Sequence, residues 1–327
     1  MYHRKLRKNI KVSFVATVLN EEETIKGLLD SIIQQTKKPD EVIVVDGGST
    51  DRTLSEISNI KLKFRVLTKH GNRSVGRNAG IKRATGDIIL LSDAGCTLDK
   101  NWVKNIIQPF DNHSVDVVAG YYKAKPKTVF EKCLVPYVFV MPDKVNPKTF
   151  LPASRSMAFR KGVWKKVGGF PQEFSHNEDY VFANRLKKMN AAMVFKRDAI
   201  VYWQPRTNLK QAFIMFFRFA LGDAEAGIYR PKAVLTVLRY FFTLLLAAII
   251  FMLQSIQAAY LLVGLTLLYV FWSIIKNFRY VHDIRALYWL PLLQLTSDIA
   301  VSAGMVVGYL LFFIEQIKTQ PKRRLRG

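Results

Sequence analysis

Between Tyr240 and Ile275 the chain runs for 36 residues without a charged side chain. As one helix at about 1.5 Å per residue this stretch would be roughly 54 Å long, against a bilayer hydrocarbon core of about 30 Å. Two spans fit it better than one, turning at the polar patch Gln254-Ser255-Ile256-Gln257. A second stretch, Ala286 to Ile314, carries Asp298 as its single charge. Stretches of this length and composition belong to membrane spans rather than to the core helices of a soluble domain. Pro291 is the natural place to divide the second stretch into an interfacial segment, Leu287 to Leu295, and a span, Ile299 to Ile314. The expected transmembrane region is therefore residues 233–316, with spans near 233–253, 258–275 and 298–314. An amphipathic interfacial segment, 208–232, precedes it and a basic tail, 317–327, follows.

Residues 1 to about 230 are different material, mixing charges freely with short apolar runs. With half of the chain hydrophobic and 23% charged, a disordered or low-complexity protein is excluded. The 49 Lys and Arg against 25 Asp and Glu leave a net charge of +24. No zinc-ligand spacing, recognition-helix pattern or RNA-binding aromatic signature accompanies that charge, so nucleic acid is not the expected partner. Beside membrane spans, lipid headgroups and diphosphates are. Two cysteines, Cys96 and Cys133, are too few for a disulfide framework. The apolar run Val12 to Leu19 is too short for a signal peptide and lacks a small-residue cleavage site, so the N-terminal domain is expected in the cytoplasm. Arg230, Lys232 and Arg239 before the first span, and Lys276, Arg279 and Arg285 after the second, agree with a multi-pass protein of the cytoplasmic membrane in that orientation. The basic tail opposes it if three spans are crossed.

After a basic N-terminal segment, 1–10, residues 11–207 have the rhythm of an α/β domain. Lys11 to Leu19 suits a buried strand, and Ile25, Leu28, Leu29, Ile32 and Ile33 then recur at helical spacing. Glu41 to Val45 is a second strand, apolar on both faces as parallel strands are, and it ends in Asp46-Gly47-Gly48-Ser49. Phe64 to Thr68 predicts a third strand, Ser74 to Ala84 a helix, and Ile88 to Ser92 a strand ending at Asp93. Ligands of open α/β sheets lie beyond the carboxyl ends of strands, which is where Asp46 and Asp93 stand. A nucleoside-diphosphate site needs such acids, one for base or ribose hydroxyls and one for a divalent cation. Each acid alone is also a plausible helix cap. Farther on, Glu178-Asp179 opens a predicted helix, Tyr180 to Met189, where acids also favour the helix dipole.

The segments VATVLNEEETIKGLLDSI, VIVVDGGSTDRT, SVGRNAGIKRATGDIILLSDAG, SMAFRKGVWKKVGGF and NEDYVFANRL, in that order, resemble glycosyltransferase family 2 of the GT-A fold over residues 10 to 225. The resemblance implies a mostly parallel sheet flanked by helices, a nucleotide-sugar donor and inversion at the anomeric carbon. It implies that Thr17, Glu21 and Asp46 contact base and ribose, and that Arg77 lies near base and phosphates. Asp93 would serve the sugar-nucleotide and its Mg or Mn ion, and Asp179 would be the general base, with Glu178 assisting or binding acceptor. Ser154, Phe159 and, beyond the last strand, Arg218 would stand on the acceptor side.

The sequence departs from the family pattern at Asp93-Ala94-Gly95-Cys96, where glycine holds the place of the second metal-ligating acid. A cation would then rest on Asp93, donor phosphates and water, with Cys96 or His176 as further candidates whose plainer reading is a buried thiol and a loop histidine. Met215-Phe216-Phe217-Arg218-Phe219 lacks the Gln and Trp of processive family members, which favours transfer of single sugars. The expected protein is an inverting transferase acting on a lipid-linked or cell-envelope glycan acceptor. The competing reading is a non-catalytic membrane scaffold that keeps the fold, or a sugar-nucleotide-binding protein. A transporter is disfavoured, since Asp298 is almost alone as an ionisable residue in the spans, while Gly304 and Gly308 suit helix packing.

Overall fold

A computed structural model of the protein describes residues 10–60, 64–174 and 176–319. Residues 1–9 of the expected basic N-terminal segment and most of the basic tail fall outside those residues. The chain divides into two compact units. One holds the described residues up to Lys125 together with Pro142–Gln204, and the other holds Pro126–Met141 and the described residues from Pro205 onward.

In chain order the elements are β1 (Val12–Val18), α1 (Ile25–Ile33), β2 (Glu41–Asp46), α2 (Thr53–Ser58), β3 (Arg65–Thr68), α3 (Arg73–Arg83), β4 (Ile88–Leu91), β5 (Cys96–Leu98), α4 (Trp102–Ile107), β6 (Val117–Ala124) and α5 (Val129–Val138). There follow β7 (Met157–Arg160), α6 (Lys161–Lys166), α7 (Glu178–Lys188), β8 (Met193–Trp203), α8 (Leu209–Glu225), α9 (Pro231–Leu253), α10 (Ile256–Phe278) and α11 (Ala286–Thr319).

The first unit is built on an eight-stranded sheet in the order β3-β2-β1-β4-β7-β6-β8-β5. β1 pairs in parallel with β2 and β4, and β2 with β3, because each return passes through a helix. β1 and β4 are mostly apolar and almost wholly buried, as strands covered on both faces must be. Beyond β4 the sheet becomes mixed: β7 runs antiparallel to β4 and β6, β8 parallel to β6, and β5 antiparallel to β8. The core beneath one face joins Val15, Ile43, Val45, Ile89 and Leu91 to Phe159, Phe170 and Phe182. Phe170 and Phe182 stack with centroids 4.0 Å apart.

In the second unit α9 and α10 follow one another through Gln254, in a left-handed conformation at φ 48°, and Ser255, whose hydroxyl accepts from the Ala258 N–H. α9, α10 and α11 are each long and apolar enough to cross a membrane. The expected division at Pro291 is not made, and α11 runs unbroken from Ala286 through that proline. Pro291 falls in the second turn of the helix, where packing partners hold the flanking residues. Phe130 of α5 meets Trp289 edge-on at 5.0 Å, and the Tyr137 hydroxyl donates to the Leu290 carbonyl at 3.0 Å. Pro126–Met141, expected within the α/β domain, thus groups with the helical unit. Arg239, expected ahead of the first span, lies within α9. α8, expected at a membrane interface, buries Ala212, Met215, Phe216 and Ala220. Its partner is α11: a Cβ on Gly304 would stand 2.4 Å from the Phe217 carbonyl oxygen, and one on Gly308 2.6 Å from the Ala224 Cβ. Glycine at both positions permits that close approach.

Candidate active site

The sheet register places the chemistry along one edge. Val18 of β1 pairs with Asp46 at the end of β2, and Val15 with Leu91 of β4, so the end of β1, Asp46 and Asp93 are neighbours at the strands' carboxyl ends. Asp46 is only 1% exposed and its carboxylate builds the loop that follows it. It accepts from the Gly48 N–H at 2.9 Å and the Ser49 hydroxyl at 2.6 Å. Gly48 sits at φ +102°, and a Cβ there would lie 2.4 Å from His70 Nδ1, so this turn admits glycine alone. Thr17 and Glu21 are half-buried nearby, with Glu21 accepting from the Thr24 hydroxyl at 2.5 Å. A Cβ on Gly76 would come within 2.9 Å of Thr17 Cγ2. α3 therefore lies close against β1, and the next residue, Arg77, reaches the same edge.

Arg77 is the hub of the site. One terminal nitrogen donates to Glu178 Oε1 at 2.5 Å, and the other to Asp93 Oδ1 at 3.0 Å and Ser154 Oγ at 2.9 Å. Its guanidinium also stands 5.4 Å from the Phe170 ring centroid. The Arg77 and Glu178 side chains are 4% and 5% exposed, which makes this a buried, charge-assisted pair. Ser154 ties in the remaining acid: Asp179 Oδ2 lies 3.2 Å from its N–H and 3.4 Å from its hydroxyl. Glu178 and Asp179 occupy the first turn of α7, entered through Asn177 at φ 56°, where the helix dipole favours negative charge.

The two aspartates are tuned in opposite directions. Burial pushes Asp93 upward, but the charges of Arg77, Arg155 and Arg73 outweigh it and hold the carboxyl below the usual range. For Asp179, burial is reinforced by repulsion from Glu178 and Asp93 and only partly offset by Arg77 and Arg155, so its pKa is raised. Asp93 is then a firmly ionised anchor and Asp179 a carboxylate with enhanced proton affinity. Cys96 is buried and pushed up to about 12, chiefly by that burial, which makes it an inert thiol rather than a soft ligand.

Among the described residues no three His, Cys, Asp or Glu side chains come together as a metal cage. A Cβ on Gly95 would meet nothing within 4 Å, so the place of a second acid is open space. The donor set is one carboxylate, Asp93. That fits a hydrated cation carried mainly by a donor's phosphates, and does not fit one held by protein ligands.

Of the residues expected from sequence, Arg77, Asp93, Ser154, Glu178 and Asp179 form one connected cluster, while Thr17, Glu21 and Asp46 line the adjoining edge. Arg77, expected near base and phosphates, directs its hydrogen bonds to Glu178, Asp93 and Ser154. Phe159, expected on the acceptor side, is fully buried in the core between β4 and β6, 5.6 Å from Phe182, and presents no surface to a ligand. Arg218 is an exposed residue of α8 in the helical unit. Arg155 was not anticipated. It follows Ser154 directly, its Nε is 4.0 Å from Asp93 Oδ2, and its guanidinium lies 5.7 Å from the Tyr122 and 5.4 Å from the Trp203 ring centroids. An arginine between two serines immediately before a strand was the available signal.

Comparison with known proteins bears on the family and the fold. Residues 13–167 match the family model described as "Glycosyl transferase family 2". The O-antigen chain rhamnosyltransferase RfbN of Salmonella typhimurium is 26% identical over 224 residues, 64% of this chain and 71% of that protein. A probable glycosyltransferase of Sulfolobus acidocaldarius is 25% identical over 321 residues, 91% of this chain and 68% of that one. Among solved structures, the mannosyltransferase PcManGT from Pyrobaculum calidifontis, in complex with GDP-Man and Mn2+, superposes with a TM-score of 0.64 at 19% identity, covering 91% of this chain and 87% of its own. That likeness shows the fold.

Proposed function

We propose that this chain, whose residues 13–167 form a glycosyl transferase family 2 domain, moves a single sugar from a nucleoside-diphosphate donor to a lipid-linked or cell-envelope glycan acceptor, with inversion, at the cytoplasmic face of the membrane. The observation that carries the reading is the connected cluster of Arg77, Asp93, Ser154, Glu178 and Asp179 at the carboxyl edge of the sheet. Support for a glycan acceptor comes from the O-antigen rhamnosyltransferase relative, and for a nucleotide-sugar donor from the GDP-Man complex of the structural neighbour. Support for the membrane comes from three long apolar helices and from the basic residues Arg230, Lys232, Arg279 and Arg285 near their connected ends.

In this reading Asp179 takes the proton of the acceptor hydroxyl as its oxygen attacks the anomeric carbon. The new oxygen–carbon bond forms while the bond from that carbon to the diphosphate oxygen breaks, and the diphosphate leaves with the electron pair. A single displacement inverts the carbon. Ser154 holds Asp179 in place through two contacts, and Arg77 keeps Glu178 and Asp93 from repelling each other out of the site. The Thr17, Glu21 and Asp46 edge receives the nucleoside, with Asp46 acting through the loop it builds. A magnesium or manganese ion carried on Asp93 would neutralise charge on the leaving diphosphate.

The open position at Gly95 is the observation that favours the competing reading, a scaffold that keeps the fold without turnover. One experiment separates them. The protein in mild detergent is screened against nucleotide-sugars with membrane lipid extract, following release of nucleoside diphosphate. Release with one donor is the expected result; binding of that donor with no release under any acceptor supplied would favour the scaffold.

A further inference from the structure

Resting on the donor reading above, we propose that the loops leaving β1 and β2 form one interlocked frame that sets the affinity for the donor's nucleoside, with Asn20 and Asp51 as its positioning residues. The loops start level with one another, since Val18 pairs with Asp46. Residues 19–24 then lead into α1, and residues 47–52 into α2. Glu21 of the first loop and Asp46 at the root of the second are among the residues assigned to the nucleoside. What joins the two loops therefore decides how well that edge keeps its shape.

Three consecutive N–H groups of the first loop are committed to the second. That of Asn20 donates to Ser49 Oγ at 2.9 Å, that of Glu21 to Thr53 Oγ1 at 2.7 Å, and that of Glu22 to Asp51 Oδ2 at 3.1 Å. Bonds also run the other way: the Thr50 N–H donates to Asn20 Oδ1 at 2.9 Å and the Arg52 N–H to Glu22 Oε2 at 3.0 Å. The accepting groups are themselves fixed. The Ser49 hydroxyl donates to the buried Asp46 at 2.6 Å, and the Thr53 hydroxyl to Asp51 Oδ1 at 2.5 Å. Asp51 thus holds its own loop with one oxygen and the first loop with the other. Asn20 stands at φ 54°, a conformation that asparagine adopts more readily than most residues. The Glu22–Arg52 ion pair adds little, because the Arg52 side chain is 78% exposed. Backbone N–H groups beyond the carboxyl end of a strand commonly cradle phosphate. Here they are committed to the neighbouring loop, so this edge offers a nucleoside a fixed surface rather than a diphosphate a set of donors. A surface ordered before its ligand arrives loses less entropy on binding, and loosening either loop weakens the nucleotide.

The test is calorimetric binding of UDP, GDP and dTDP, with manganese, to the full-length protein in detergent, joined to hydrogen–deuterium exchange of the unliganded protein read by mass spectrometry. Asn20→Gly keeps the left-handed turn and removes the acceptor, and Asp51→Ala removes the bridge. For whichever nucleotide binds the parent, each change should weaken binding by about 3- to 20-fold, the scale of one or two hydrogen bonds. Asn20→Asp keeps both the turn and an acceptor and should bind like the parent, a rescue that a general loss of stability does not give. In Asn20→Gly, exchange should quicken across residues 47–53 as well as 19–24, although the substitution lies in the first loop alone. Thermal melting verifies folding, and if Asp51→Ala does not fold, Asn20→Gly decides by the same two readouts. Parent-like affinity in the folded variants, equal loss in Asn20→Gly and Asn20→Asp, or exchange that quickens only in the substituted loop overturns the proposal while leaving the donor reading intact. Absence of binding by the parent to any of the three nucleotides would instead overturn the donor reading itself.

Discussion

Each unit of the molecule contains an Arg–Asp pair, and the two are finished differently. Asp298, within α11, accepts from Arg239 at 2.9 Å, Tyr240 at 3.0 Å, Gln294 at 2.9 Å and the Tyr269 hydroxyl, and its side chain is 7% exposed. Arg239 in turn lies 5.0 and 4.4 Å from the Tyr240 and Tyr269 ring centroids. Asp93, in the α/β unit, has Arg77 and Ser154 on one oxygen, Arg155 at 4.0 Å from the other, and a side chain 36% exposed. The pair among the long apolar helices is closed by donors from three helices and has the form of a structural tie. The pair at the sheet edge is left incomplete on its outer side, the condition a ligand site needs. An ionisable residue among membrane spans is by default a functional suspect, but the number of its partners decides between tie and site.

The comparison breaks most sharply at Asp179. Asp179→Asn keeps the shape and removes the proposed base, so turnover should fall by about 10²- to 10⁴-fold while donor binding stays close to that of the parent. Unchanged turnover would remove the base from the mechanism. Next in size is the Arg77 hub. Arg77→Met leaves Glu178 buried without its counter-ion, and a loss of about 3–5 kcal/mol in unfolding free energy of the α/β unit is expected. Chemical denaturation followed by tryptophan fluorescence checks it, and a loss below about 1 kcal/mol would show that Glu178 finds another partner.

The tie among the long apolar helices should yield less. Asp298→Leu removes four hydrogen bonds, yet if these helices cross the membrane as proposed, freed groups find partial replacements, and intramembrane hydrogen bonds measure about 0.6 kcal/mol on average and up to about 1.7. A lower melting temperature in detergent with unaltered nucleoside diphosphate affinity is expected. If donor affinity collapsed with the fold intact, the closed pair would belong to the site after all.

How legible each region was follows from the range of the forces that shape it. Parallel strands covered on both faces announce themselves as apolar runs, so β1, β2 and β4, and with them Asp46 and Asp93, were placed within a residue or two. The uncharged stretch likewise gave α9 and α10, since bilayer thickness is a local constraint. The three-residue β5 and the four-residue β7 carry too little pattern, and they exist because distant β8 and β4 offer them partners. Phe159 was misplaced for that reason: alternation in so short a strand does not say which side chain turns inward. Arg155 was missed because the groups it stands beside, Tyr122, Trp203 and Asp93, are all remote from it in sequence. Pro291 shows the reverse error, a strong local signal overruled by packing.

The smallest expected effect is also the most specific to the open site. A general base works as its carboxylate, so kcat/KM should fall as pH drops through the pKa of Asp179. Burial and repulsion by Glu178 raise that pKa, which puts the acid limb above the ordinary aspartate range near 3.9. Glu178→Gln removes one repelling charge and releases Arg77 to act more strongly on Asp179. Both changes stabilise the carboxylate, so the limb should move toward lower pH, by about one unit or less. The limb's position does not depend on how much of the variant is folded, which separates electrostatics from stability. A limb that stays put, or moves toward higher pH, would mean that the titrating base is not Asp179 and that the open cluster does its chemistry through another residue.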